Sequence, residues 1–166
     1  TARGALTAEV EAAADEASHI SAPRAAASSF AVASRKAGRV TFETGIEIQG
    51  RLLPHLFDGA EGGVFLLATA GPSIGRRVAE LFNEGEPVRA FVMDAAGSAA
   101  AMSVFSLLVE RVAAELQAGG MKVGPCVKPG TDSWSMEGQR ALFRALPANE
   151  VGVRLLESLL MDPQKS

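Results

Sequence analysis

Hydrophobic positions along this chain change their period several times, and each change marks an element. Across residues 6–18 (LTAEVEAAADEAS) alanines and aliphatics recur at helical spacing behind Thr7, with acidic residues after it, which predicts a helix capped by Thr7. Residues 21–34 hold one proline, many alanines and few large side chains, and are expected to form a connection whose shape the pattern does not define. Residues 39–44 (RVTFET) alternate Val40, Phe42 and Thr44 with charged neighbours, the pattern of a half-buried strand that continues past Gly45 into residues 46–48. A short helix is predicted over 51–57. Residues 64–70 (VFLLATA) are continuously apolar, as expected of a central strand buried on both faces.

After the break at Gly71-Pro72, Ile74, Val78, Leu81 and Phe82 share one face of a helix over 74–83, with Arg76, Arg77 and Glu80 opposite and Gly85 as its stop. A longer helix follows over 87–117, with Pro87 in its first turn and Gly119-Gly120 ending it. Its apolar run is interrupted by Asp94, Ser98, Ser103 and Ser106, so it is expected to be a buried helix and not a membrane span. Residues 121–123 are a short strand candidate. Residues 124–134 (GPCVKPGTDSW) contain too many prolines and glycines for regular structure. A helix capped by Ser135 over 136–146 and a strand over 151–158 complete the pattern. Strands and helices without regular βαβ spacing predict an α+β domain: a mixed or antiparallel central sheet packed with helices, one of them long and alanine-rich.

The 166 residues suit a single domain, and 48% apolar content is enough to fold it. A net charge of −3 with no basic stripe argues against nucleic-acid binding. The one cysteine, Cys126, precludes an intrachain disulfide and a multi-cysteine metal site, and fits a reducing cytoplasm. Thr1 is not an initiator methionine, so the natural N-terminus is expected upstream.

No catalytic constellation is evident. His19 and His55 fall in predicted helices without motif partners and are expected on the surface. There is no phosphate loop, and Gly71 with Gly75 is an incomplete dinucleotide fingerprint. Two places remain. The Lys128-Pro129-Gly130-Thr131-Asp132 loop either brings backbone N–H groups close to a ligand, with Trp134 covering a flat group, or is a plain turn with Trp134 as a core plug. Asp94, inside FVMDAAGSAAA, either serves a ligand or binds a neighbouring backbone where small residues let helices approach. Glu157-Ser158 poses the same question at the end of an apolar strand.

Four stretches carry a resemblance: LLATAGPSIGRRVAELFNEGE (66–86), FVMDAAGSAAA (91–101), KPGTDSWSMEGQRALFRALP (128–147) and VGVRLLESLLMDPQKS (151–166). Their order of Thr-x-Gly-Pro, Asp-x-x-Gly-Ser, Pro-Gly-x-x-x-Trp, Gln-x-x-Leu-Phe, Gly-Val-x-Leu-x-x-Ser and Met-x-Pro-x-Lys-Ser resembles the activation domain of cobalamin-dependent methionine synthase, especially its short stand-alone relatives. Residues 1–37 match nothing specific, and family members continue past Lys165-Ser166 into another strand, so a truncated C-terminus is expected.

The resemblance implies S-adenosylmethionine as the chain's own ligand, and a cobalamin-binding (corrinoid) protein or homocysteine methyltransferase as partner. It also implies one electron from a flavodoxin- or ferredoxin-type donor, for reductive methylation of cob(II)alamin. It places Lys128, Pro129, Gly130, Thr131 and Asp132 around the ligand, Glu157 and Ser158 on a neighbouring strand, and Asp94 at the same pocket. Where the methionine synthase loop has Arg-x-x-x-Gly-Tyr, this chain has Cys126 and Thr131, which removes the guanidinium that would pair with the ligand carboxylate. A docking module for a corrinoid protein that no longer holds S-adenosylmethionine is the alternative.

Overall fold

The computed structural model describes residues 2–131 and 133–166. The fold is α+β: among the described residues, five helices pack with a four-stranded sheet and a separate two-stranded one, and every strand pair is antiparallel. The first helix, α1, spans Ala2–Ile20 and begins well before the predicted cap, so Thr7 lies inside it.

The largest departure from the sequence pattern is the segment read as a connection of undefined shape, which is the longest strand, β1 (Arg24–Lys36). Ala26, Ser28, Phe30, Val32 and Ser34 are half-buried, and every residue between them is exposed. That is period-two patterning written in alanine and serine, whose contrast in hydrophobicity is too low to stand out. β1 pairs with β4 (Gly62–Thr69) from Arg24↔Thr69 to Ala31↔Gly62. Its far end pairs instead with β2 (Arg39–Phe42), from Val32↔Phe42 to Lys36↔Arg39, with a register irregularity between Val32 and Ser34. β3 (Glu47–Gln49) then pairs with β2, giving the order β3-β2-β1-β4. β4, expected to be central, is therefore at the end of the sheet. Its Phe65 and Leu67 face the main core, while α4 flanks its other side, with Val64 and Leu66 left half-buried.

That core gathers Val40, Phe42, Ile48 and Leu53 from the sheet and the short α2 (Leu53–Leu56), and Ala141, Ala145 and Leu146 from the region of α5 (Gly138–Ala145). The Phe42 ring lies edge-on to Phe65 at 5.0 Å and to Phe57 at 5.8 Å. A second cluster holds the other helices together: Ala13 and Ala17 of α1 meet Ile74 and Leu81 of α3 (Ser73–Asn83) and Ala90 and Met93 of α4 (Pro87–Ala118). Alanines bring these helices close, and Arg77 of α3 ties down α1 through a 2.8 Å bond to Glu16. That hydrogen bond is the main reason the Arg77 pKa is raised.

α4 is not the buried helix expected. Only Ala90, Met93 and Gly97 are buried, because α1 and α3 cover its first part alone. By length and composition it is apolar enough to cross a membrane, with a mean hydropathy of 1.6 in a window only 11% buried. Residues 121–123 are irregular, without a strand partner among the described residues. The strand expected over 151–158 shrinks to β5 (Arg154–Leu155), which pairs with β6 (Met161–Asp162).

Candidate functional site

The turn after Lys128 is closed by backbone bonds. The N–H groups of Gly130 and Thr131 both donate to the Trp134 carbonyl, at 2.8 and 3.1 Å, and Trp134 N–H donates back to Thr131 at 3.1 Å. The Thr131 hydroxyl donates to the Lys128 carbonyl at 2.9 Å. Gly130 has φ +86°, a left-handed conformation that favours glycine. The N–H groups expected to approach a ligand are thus already used by Trp134. Asp132 lies outside the described residues.

Trp134 is the core plug and not a cover for a flat ligand, since it is only 4% exposed within the main core. Its indole stands against Gly138, where an added Cβ would fall 2.0 Å from Nε1. Nε1 itself is buried, without a hydrogen-bond partner among the described residues. The Trp-x-x-x-Gly spacing in this stretch is therefore a packing device: the glycine leaves the space that the indole fills.

Lys128 turns away from the turn that follows it. Its ammonium lies 4.5 Å from the Phe105 ring centroid on α4, and 4.0 Å from the Met102 sulfur. Beneath it runs an open groove of about 1110 Å³, walled by Val64, Leu66 and Ala68 on one side and by Phe105 and Val109 on the other. Pro129 and the exposed Cys126 also border it.

Asp94 belongs elsewhere. Its carboxylate, 48% exposed, is 2.6 Å from the ammonium of Lys165, whose side chain is only 9% exposed. That ammonium also donates to Ser98 Oγ at 3.0 Å. The Lys165 carbonyl accepts from Ala70 N–H at 2.8 Å and from the Thr69 hydroxyl at 3.2 Å, while Ser166 Oγ lies 2.9 Å from Thr69 Oγ1. Gly97 makes room: a Cβ there would be 2.5 Å from Ile74 and 3.2 Å from Lys165. Three sequence motifs thus converge on one junction: Thr-x-Gly at 69–71, Asp-x-x-Gly-Ser at 94–98 and Lys-Ser at 165–166. Among the described residues the Asp94 carboxylate bonds neither a neighbouring backbone nor the 128–131 turn; it serves Lys165, which the sequence pattern did not single out.

Glu157 and Ser158 are exposed and sit on the turn between β5 and β6, not on a strand. That turn is closed by Leu156 N–H to the Leu160 carbonyl at 2.9 Å. No hydrogen bond or ion pair among the described residues joins them to the 128–131 turn or to Asp94. His19 and His55 are exposed, and among the described residues no group of His, Cys, Asp and Glu could hold a metal ion. The fold therefore separates the described members of the predicted site into three places, and of these residues Lys128 and Pro129 alone border the groove. No protein-family model matches the chain, and no curated protein matches it.

Proposed function

We propose that this chain helps reactivate a cobalamin-dependent methyltransferase of the methionine synthase type, by holding S-adenosylmethionine where the groove meets Lys128. The motif order in the sequence is the ground for the family. The observation that carries the ligand reading is the Lys128 ammonium, which lies across the rim of a mostly apolar groove without an ion-pair partner among the described residues. A ligand with a flat base and a carboxylate fits that pairing of apolar wall and point charge. The fit is looser than a guanidinium would give, because Cys126 occupies the arginine position and a lysine recognises carboxylate without a bidentate fork. S-adenosylmethionine supplies a methyl group, the partner's corrinoid accepts it, and a flavodoxin- or ferredoxin-type protein provides an electron. This chain's residues orient the ligand and keep water from it, a positioning role that needs no acid or base. A cytoplasmic location goes with this reading and with an exposed free thiol.

A second reading is favoured by the backbone bonds of the turn. With the Gly130 and Thr131 N–H groups taken by Trp134, little backbone is left to grip a ligand. In that case the chain docks on a corrinoid protein without S-adenosylmethionine. Titration calorimetry separates the two. The first reading expects saturable S-adenosylmethionine binding that Lys128→Glu weakens about tenfold or more, on the order of the 1.4 kcal/mol that factor represents. Absence of binding, alone and with a corrinoid protein present, leaves the docking role.

A further inference from the structure

We infer that α4 is the dimerisation element of this protein, pairing antiparallel with α4 of a second copy. From Val88, positions 88, 92, 95, 99, 102, 106, 109, 113 and 116 advance in alternating steps of four and three. None of the nine is charged and only Ser106 is polar, a spacing of 3.5 residues that forms a left-handed coiled-coil seam. The seam lies away from the residues that α4 buries in its own fold, Ala90, Met93 and Gly97. It is open to solvent over its first half and centre, where Val88 is 63% and Met102 53% exposed and Phe91 beside them is 67% exposed, while Val92 is half-buried against the helical cluster and Val109, Ala113 and Leu116 are half-buried along the groove. A helix of this hydropathy with so little of its surface covered lacks its packing partner.

The charges beside the seam choose the partner and its direction. Arg89 and Glu110 occupy equivalent flanking positions near opposite ends of the helix. When two copies run antiparallel about Ala100, Val92 meets Val109 of the second copy and Ala99 meets Met102. In the same register Arg89 lies against Glu110 of the second copy, and the two-fold axis repeats that pair. A parallel pair leaves the two charges at opposite ends. Glu110 is exposed with no ion pair among the described residues, and Arg89 holds only a half-exposed 3.5 Å contact to Glu9. Ala95 and Ala99 at the centre let the two backbones approach closely. The inference does not rest on the reactivation reading and competes with it for one surface: Met102 and Val109 belong both to the seam and to the groove wall, so a second copy paired there and a ligand at that rim exclude one another.

Sedimentation equilibrium of the full chain over a range of concentrations is the test, with circular dichroism checking that each variant keeps its helices. The wild type is expected to be a dimer, and Met102→Glu, which sets a carboxylate in the seam, a monomer. Arg89→Glu and Glu110→Arg should each weaken association several-fold, while Arg89→Glu/Glu110→Arg together restore it. The inference is overturned by a wild type that stays monomeric, by a dimer that survives Met102→Glu, or by a double variant no better than the singles. A monomer that instead sediments with phosphatidylcholine–phosphatidylserine vesicles would overturn it in favour of a membrane surface.

Discussion

The Lys165 ammonium and the Asp94 carboxylate stand 2.6 Å apart, yet they differ sharply in their access to water: Lys165 is buried and Asp94 is half-exposed. The pair is therefore unequal. Removing Asp94 strands a buried ammonium with Ser98 as its one remaining partner among the described residues, whereas removing Lys165 leaves a carboxylate that water can solvate. Asp94→Ala is expected to cost about 1–3 kcal/mol, and Lys165→Met clearly less. Urea denaturation midpoints of the two variants check this; a larger loss for Lys165→Met would refute the asymmetry.

Two glycines in helices should respond in opposite directions to the same added methyl group. At Gly138 the new Cβ falls 2.0 Å from the Trp134 indole nitrogen, so Gly138→Ala is expected to destabilise by at least about 1–3 kcal/mol through overpacking. At Gly75, exposed on α3, a Cβ meets nothing within 4 Å, and Gly75→Ala should stabilise by about 0.5–1 kcal/mol. Thermal melts of both variants give the comparison.

Phe42 carries more of the main core than its neighbours, being 1% exposed with Phe57 and Phe65 edge-on to it. Phe42→Ala is expected to cost about 3–5 kcal/mol, and Phe42→Leu considerably less because it keeps most of the volume. Equal losses in guanidinium denaturation would show that the rings, and not the filled space, are what matters.

Gly130→Ala tests the turn without touching the groove wall. A left-handed φ of +86° should cost an alanine about 1–2 kcal/mol, and Met136 must also shift from the new methyl. If the turn only joins elements, this loss appears in stability, while S-adenosylmethionine affinity measured below the melting range stays unchanged. A loss of affinity with little loss of stability would place the turn itself against the ligand.

The sequence revealed the elements with strong hydrophobic contrast and concealed those without it. Val40 and Phe42, set between Arg39, Thr41 and Glu43, announced β2, and the Ile74–Leu81 stripe announced α3. β1 was illegible because Ala26 and Ser28 face inward while Ala27 and Ser29 face outward, and a scale of hydrophobicity barely distinguishes them. The run at 64–70 overstated both the position and the coverage of β4: Phe65 and Leu67 enter the main core, but Val64 and Leu66 are half-buried on the open groove, at the end of the sheet. For the site, the apolar context of Asp94 pointed to a paired acid, while its partner Lys165 was out of reach of any local pattern. Glu157 and Ser158 looked strand-borne because Val153 and Leu155 before them alternate. The chain turns immediately afterwards, with Leu159 at φ +65°.

The double pairing of β1 has a consequence for how the chain acquires its shape. β1, β2 and β3 are consecutive, so their far-end hairpin can zip up with short loops. The other half of β1 must wait for β4, with Arg24 finding Thr69 across everything between them. Contacts so distant in sequence close slowly because the loop entropy is lost before the ladder rewards it. Only when they close is α4, with α1 and α3 packed on it, brought against the sheet. β1 is therefore the seam at which a quickly formed meander and a later-arriving helical layer become one cooperative body.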